Sequence, residues 1–421
     1  MLAVLAFASM TDREQRRTRA REFDLVLFGA TGFTGRLVAE YLVKKRPSLR
    51  WALAGRSREK LERVREELAT REPSAKELPL VAGDSLDKAA MEGLASRTRV
   101  VCTTAGPYAR YGSVLLGACA EQGTDYCDLT GETQWVREMI DAHHARAVET
   151  GARIVPSCGF DSIPSDLGVL LLHEQLAAKG GRLAEAHYRV RRMKGGASGG
   201  TIASGLHAAE RMGDPAVRQV FADPFSLSPE GAPDRRGHED WLRPRRDPET
   251  GRWLAPFFMA AVNTRVVRRS NALLGYAYGR EFRYDEAIDV GRGPAGLARA
   301  AATSAGMALS GAMVFGPVRK LAERFLPAPG EGPSREERES GFFDIELHGV
   351  GTAGERVRAR VGAKQDPGYG ATSWMLGESA LCLAEDELPE RGGLLTPASC
   401  MGMKLVERLR AAGMTFQAEA T

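Results

Sequence analysis

Short, nearly unbroken apolar runs recur along the first 160 residues, and each is followed by a stretch with helical spacing of its apolar positions. The runs are Asp24–Gly29, Trp51–Gly55, Leu78–Gly83, Arg99–Gly106, Asp125–Thr130 and Arg153–Cys158. A strand covered on both faces has no wet side, so it loses period-two alternation and shows as a continuous hydrophobic segment. Between the runs lie Arg36–Arg46 (stopped by Pro47), Glu59–Arg71, Leu86–Ser96, Ser113–Gln122 and Thr133–Glu149, which predict helices. Strand–helix repeats with short links predict an α/β fold, a Rossmann-type doubly wound parallel sheet.

After Phe160 the pattern changes. A helix is predicted over Ser165–Lys179 and a strand over Ala186–Arg191, whereas Gly195–Asp247 is rich in Gly, Pro, Ser and charge. Phe342–Val350 and Arg356–Val361 alternate with period two around the turn-like Gly351–Glu355, which predicts a hairpin with one wet face. A second, α+β domain containing an antiparallel or mixed sheet follows, with Pro327–Ser340 as a polar surface loop. The expected division is an extension without fixed structure over 1–21, a first domain over 22–164 and a substrate or dimerisation domain over 165–371. The helices Thr372–Leu383 and Met401–Ala412, within 372–421, are expected to pack back on the first domain.

A chain of 421 residues exceeds one ordinary hydrophobic core, in keeping with two domains. Its 43% hydrophobic and 27% charged residues are those of a soluble globular protein. The net charge of +4 is small and basic residues are interspersed with acids, so nucleic acid is not an expected partner. The six cysteines, Cys102, Cys119, Cys127, Cys158, Cys382 and Cys400, show neither a C-x-x-C pair nor zinc-type spacing with histidine. No metal is expected, and a reducing, cytoplasmic setting is. Met1–Met10 is apolar, but its charge comes after it rather than before, unlike a secretory signal. Ala300–Val318 carries no charge and approaches membrane-spanning length. Its Ala, Gly, Ser, Thr and Met content favours insertion only weakly. A buried helix is the favoured reading; peripheral membrane contact through 295–326 is the other.

The chemistry starts at Gly29-Ala30-Thr31-Gly32-Phe33-Thr34-Gly35, placed after the first strand and before the first helix. Side chains in such a turn would block a pyrophosphate, and the following helix offers N–H groups and a positive dipole end to that anion. Gly29, Thr31, Gly32, Phe33, Thr34 and Gly35 are therefore expected to hold a dinucleotide, making 22–164 the cofactor domain. Domains that prefer NAD place an acid after the second strand to accept from the ribose 2′-hydroxyl. Here Gly55-Arg56-Ser57-Arg58 stands instead. A guanidinium matches a 2′-phosphate, and Ser57 adds a donor, so NADP(H) is expected. Asp84, past the third strand, is placed either for the adenine edge or to cap the helix near Leu86. Thr104, Ala105, Gly106, Pro107 and Tyr108, past the fourth strand, are expected beside the nicotinamide half.

Together these residues resemble the saccharopine dehydrogenase-like oxidoreductases, and within them the trans-acting enoyl reductases. The resemblance runs from about Phe23 onward. It is carried by the glycine loop, Ala54-Gly55-Arg56, Gly106-Pro107-Tyr108 with Tyr111-Gly112, and Asp125-Tyr126-Cys127-Asp128-Leu129-Thr130-Gly131-Glu132. Gly159-Phe160-Asp161-Ser162-Ile163-Pro164-Ser165-Asp166, Gly199-Gly200-Thr201 and Gly392-Gly393-Leu394-Leu395-Thr396-Pro397-Ala398 are also similar. The resemblance implies an NADP(H)-dependent oxidoreductase, an enoyl reductase saturating a C=C bond in a lipid or polyketide-derived substrate. It also makes lipid contact and a homodimer through the second domain expectations. Two alternatives stay open: a saccharopine-reductase-like amino-acid dehydrogenase, and a non-catalytic NADP(H)-binding, lipid-associated protein. The former needs cationic grips for carboxylates, and Arg189, Arg191 and Arg192 are as compatible with surface charge.

Enoyl reduction needs hydride at the β-carbon, a proton at the α-carbon and a donor to the enolate oxygen. Tyr108, Tyr111 and Asp161 are the candidate catalytic residues, with Glu132 nearby in sequence. Each has a competing structural reading: packing for the tyrosines, helix capping for Asp161 with Ser165 and Asp166, and capping of the helix from Thr133 for Glu132. His143-His144 falls on a polar helix and is expected to be solvated.

Overall fold

The computed structural model describes residues 21–45, 49–195, 210–248, 250–313 and 332–420. They form two units. One runs to Phe160 and takes in Tyr369–Arg408; the other comprises Asp161–Gly368 and the segment from Leu409. Strands are numbered in chain order.

The first unit holds β1 (Phe23–Phe28), β2 (Trp51–Gly55), β3 (Leu80–Ala82), β4 (Thr98–Thr103), β5 (Asp125–Cys127), β6 (Arg153–Val155) and the late β13 (Gly393–Leu394). They form one sheet in the order β13-β6-β5-β4-β1-β2-β3, every pair parallel. Leu25, Val26 and Leu27 of β1 and Ala52, Leu53 and Ala54 of β2 have no exposure, which explains the missing alternation in these runs. Because all strands point one way, their carboxyl ends make one edge. The winding reverses between β1 and β4, and sheets of this kind take their ligand in the crevice at that reversal.

The helix Thr372–Glu385 returns late sequence to this sheet. The Tyr41 hydroxyl donates to Glu378, and a Cβ on Gly377 would lie 2.6 Å from the Tyr41 ring, so glycine is what lets the two helices meet. Its terminal carbonyls, which have no intrahelical partners, accept from Arg99 (Ala384 O, 3.1 Å) and from Arg153 (Leu383 O, 3.1 Å). Arg153 is itself paired with Asp125.

The second unit holds β7 (Leu183–Lys194), β8 (Arg245–Arg246), β9 (Trp253–Pro256), β10 (Arg283–Gly291), β11 (Phe342–Gly351), β12 (Arg356–Ala363) and β14 (Thr415–Ala420). The sheet order is β14-β12-β11-β7-β10-β9-β8; β7 and β10 are parallel and the other pairs antiparallel. The alternating runs form the β11–β12 hairpin. Ile345, Leu347, Val357, Ala359 and Val361 are buried on the face that meets the helix Ile163–Ala177. A Cβ on Gly168 of that helix would lie 2.9 Å from Leu347 Cδ2, so glycine sets the helix–sheet approach.

Several expectations change. Arg189 is not surface charge: it is 5% exposed and paired with Asp285 at 2.5 Å, while Arg191 pairs with Asp289. Within the expected loop Pro327–Ser340, Arg335–Glu339 is a helix, because Ser334 and Glu337 form a capping box; 327–331 lie outside the described residues. A short helix, Pro215–Ala222, capped by Asp214, interrupts the Gly-rich stretch. The end of the chain contributes β14 to the second sheet rather than packing wholly on the first. The helix Gly293–Met313 is not the buried element favoured above. Ala301, Ala302, Ala305 and Ala308 are exposed, as are Leu297 (44%) and Leu309 (64%). Residues 314–318 of that uncharged run lie outside the described residues, and so does Gly199-Gly200-Thr201. No helix among the described residues is long and apolar enough to cross a membrane.

Candidate cofactor site

The glycine loop leaves β1 and enters the helix Phe33–Lys45 at the reversal point. Its three glycines have different causes. Gly29 has φ +86°, and a Cβ there would lie 2.9 Å from Ala105 N, so it serves the turn and the approach of the β4 link. A Cβ on Gly35 would overlap Gly29 O and lie 2.9 Å from Ala30 Cα, so it serves the contact of helix with strand. Gly32 has no such reason: a Cβ would meet only Gly29 O, at 3.4 Å, which is ordinary contact. The protein keeps that position clear without needing to, which fits a ligand that comes up to the backbone there. The loop is fastened to β2 by Gly29 N and Ala30 N donating to Ala54 O (2.9 and 3.2 Å). Thr31, Phe33 and Thr34 are half-buried, and the Phe33 ring meets Tyr369 edge-on at 5.2 Å.

Past β2, Arg56 is exposed and makes no ion pair among the described residues. Ser57 caps the helix Arg58–Ala69, accepting from Lys60 N at 3.3 Å. Asp84 does not cap the next helix. It is exposed and closes a short turn by accepting from Leu86 N (3.0 Å), while Asp87 caps the helix Lys88–Ser96.

Past β4, Thr104, Ala105 and Pro107 are half-buried and Gly106 exposed; the Gly106–Pro107 peptide is cis. Thr104 Oγ1 donates to Gly29 O (3.1 Å), tying this link to the glycine loop. Tyr108 begins a four-residue helix, Tyr108–Tyr111, and its assignment as a proton donor is corrected. Its ring is 3% exposed and packs near Trp135, its hydroxyl donates to Thr103 O (3.1 Å), and burial pushes its pKa well up. Glu132 takes the cap position of its own helix, but its side chain makes no cap hydrogen bond there. Its carboxylate accepts from Tyr108 N (2.8 Å) and Ala109 N (3.0 Å). Tyr111 is half-buried, with the Arg110 guanidinium 5.3 Å from its ring centre.

Two groups here escaped sequence reading. Asp128, wholly buried, accepts from Thr130 N (2.9 Å), Ser157 N (3.0 Å) and the Tyr126 hydroxyl (2.8 Å). Ser157 sits at φ +63°, a strained setting for a residue with a Cβ, held by its Oγ donating to Thr130 O (2.7 Å). Strand-end acids followed by Thr-Gly hint at such a turn, but their partners are distant in sequence. His144, expected to be solvated, accepts from Leu394 N at 3.1 Å. In the second unit, Asp161 is half-buried and Ser162, not Asp161, takes the cap position of the helix Ile163–Ala177. Asp166 accepts instead from the Ser270 hydroxyl. All six cysteines are buried thiols outside any disulfide.

The fold and the glycine loop define a dinucleotide-binding oxidoreductase. Residues 25–155 match the model of the saccharopine dehydrogenase NADP binding domain, and NADP(H) is the cofactor. A Mycobacterium tuberculosis (strain H37Rv) relative in the trans-acting enoyl reductase group is 46% identical over 415 residues, covering 94% of this chain and 97% of the relative. The trans-acting enoyl reductase of Mycobacterium bovis (strain BCG / Pasteur) is 44% identical over 411 residues, with the same coverage. The chain belongs to the trans-acting enoyl reductase family. In fold it is similar to a solved structure of apo saccharopine dehydrogenase (L-Glu forming) from Saccharomyces cerevisiae, with a TM-score of 0.51 at 12% identity, covering 94% of this chain and 99% of that one.

Proposed function

We propose that the protein saturates the conjugated double bond of an enoyl chain, lipid or polyketide-derived, while NADPH lies along the carboxyl ends of β1, β2 and β4. The observation that carries this is the unforced clearance at Gly32, at the reversal point, with an exposed Arg56 past β2 that makes no ion pair among the described residues. Gly29, Thr31, Gly32, Phe33, Thr34 and Gly35 take the pyrophosphate, Arg56 and Ser57 the 2′-phosphate, and Thr104–Pro107 flank the nicotinamide; Asp84 faces the adenosine end. The cofactor, when bound, supplies hydride to the β-carbon. The chain owes a proton to the α-carbon and a donor to the enolate oxygen. Tyr111 is our candidate for the donor, since its ring is not sealed in the core as that of Tyr108 is; Asp161 is the second candidate acid.

An amino-acid imine substrate would need guanidinium groups for its carboxylates. Arg189 and Arg191 are already engaged by Asp285 and Asp289, which weighs against that reading. Because the relatives are named trans-acting, we take the substrate to be presented by a separate protein. The uncharged, exposed face of the helix Gly293–Met313, with Arg292 and Arg299 at its start, suits a lipid surface. NADPH consumption against a panel of enoyl thioesters tests the activity. Tight cofactor binding with no turnover on any of them would leave the non-catalytic reading in its place. Flotation with anionic vesicles, before and after Leu297→Glu with Leu309→Glu, tests the surface; equal flotation of both proteins would sink it.

A further inference from the structure

The strand-to-helix links at the carboxyl edge of the first sheet are tied in series by side chains. Thr104 of the β4 link donates to Gly29 O of the β1 link (3.1 Å). Glu132 of the β5 link accepts from Tyr108 N (2.8 Å) and Ala109 N (3.0 Å), past the β4 link. Asp128 joins the β5 link to the β6 link through Thr130 N and Ser157 N. Of these ties, the one at Glu132 holds the chain where the β4 link enters its helix.

The turn Tyr108–Tyr111 continues through Gly112, which keeps right-handed helical angles, into the helix Ser113–Gln122, so its amino end is the start of that longer helical run. The first N–H groups of a helix lack intrahelical acceptors. At the start of this run the need falls on one carboxylate, 3% exposed, which takes the first two N–H groups and whose charge also suits the positive helix end. Tyr108 N is buried with its residue 3% exposed, so no solvent acceptor stands ready to replace Glu132 there, while Ala109 N is half-buried.

We propose that Glu132 is the positioning residue for the nicotinamide end of the cofactor: by accepting both N–H groups at the start of the Tyr108–Tyr111 helix it fixes Thr104–Pro107. The inference rests on the cofactor placement proposed above. It separates the two ends of the site. Gly32 and Arg56 belong to the β1 and β2 links, whereas Glu132 bonds the chain just past the β4 link, so a fault at Glu132 loosens the nicotinamide end first.

The test uses the full chain and the variant Glu132→Gln, which keeps one acceptor oxygen and turns an NH2 toward a backbone N–H. Two probes are titrated: 2′,5′-ADP, which lacks the nicotinamide, and NADPH. The expected result is a 2′,5′-ADP affinity within about twofold of wild type, an NADPH affinity lower by about tenfold, and a lower anisotropy of the bound nicotinamide fluorescence. Equal losses for both probes would mean a merely structural role and overturn the proposal, as would unchanged NADPH affinity and anisotropy. A wild-type protein that binds NADPH but not 2′,5′-ADP would fault the placement at Gly32 and Arg56 instead, and the proposal with it. Should Glu132→Gln fail to fold, hydrogen exchange of the cofactor-free wild type decides. Amides of Tyr108 and Ala109 protected before any cofactor is added support preorganisation, and amides that exchange like an open loop overturn it.

Discussion

The two ends of the cofactor site are built by opposite means. The adenosine and pyrophosphate end is made of absences: no Cβ at Gly32, no acid past β2, no ion pair on Arg56 among the described residues. The nicotinamide end is made of buried acceptors, Glu132 and Asp128, each filled by backbone N–H groups from a neighbouring link. One end is held open for a ligand's charge, and the other is held rigid against its own unsatisfied polar groups. Binding strength should therefore reside mainly at the first end, and geometry at the second.

The largest effect should come from confusing the roles of the glycines. Gly35→Ala places a methyl on Gly29 O, and we expect a loss of about 3 kcal/mol or more in stability, read by urea unfolding. Next comes Arg56→Asp, which replaces a phosphate partner by a like charge. NADPH affinity should fall by about a hundredfold while NADH changes little, and an unchanged ratio of the two affinities would end the 2′-phosphate assignment. Smaller again, Gly32→Ala should leave stability within about 0.5 kcal/mol. It should still weaken NADPH by about tenfold, because the methyl meets the ligand and not the protein. If Gly32→Ala instead loses stability and keeps its affinity, the clearance at that position has been misassigned.

The contrast also governs what the sequence discloses. The first end lies within seven consecutive residues and one arginine after the next strand, so its spacing is visible as text. At the second, the Tyr108–Glu132 and Asp128–Ser157 ties join different links, and no periodicity reports such pairs. Tyr108 shows the same: its neighbours in sequence suggest a ligand, whereas its neighbours in space are Thr103 O and Trp135. The same rule holds for the sheets. β1 to β6 and the β11–β12 hairpin carry pattern enough to be seen. β13, two residues long, has too little pattern to be recognised, and β14 gains its meaning only from its partner β12. The helix Gly293–Met313 shows the reverse failure, for an apolar composition says nothing about whether anything covers it.

The smallest effect is a pH dependence, and it asks whether burial or hydrogen bonding rules the second end. Burial raises the Asp128 carboxyl, and the nearby Glu132 charge adds to the rise, against the donors from Thr130, Tyr126 and Ser157; the balance is about 7. A free aspartate titrates near about 4, so the folded protein keeps a proton that the unfolded chain releases. That contribution to stability is complete below about pH 4 and is lost as pH rises through about 7. Between about pH 6 and pH 8 the loss should be about 1 kcal/mol. Glu286 in the second unit is also raised to about 7 by burial and adds a loss of the same sign, so the comparison must be differential. Asp128→Asn keeps an acceptor for the backbone N–H groups and has no proton to release. Urea unfolding of wild type and variant at both pH values should show wild type losing more by that amount. Equal losses in the two proteins would mean that the three donors hold Asp128 charged throughout, so that hydrogen bonding outweighs burial at this end.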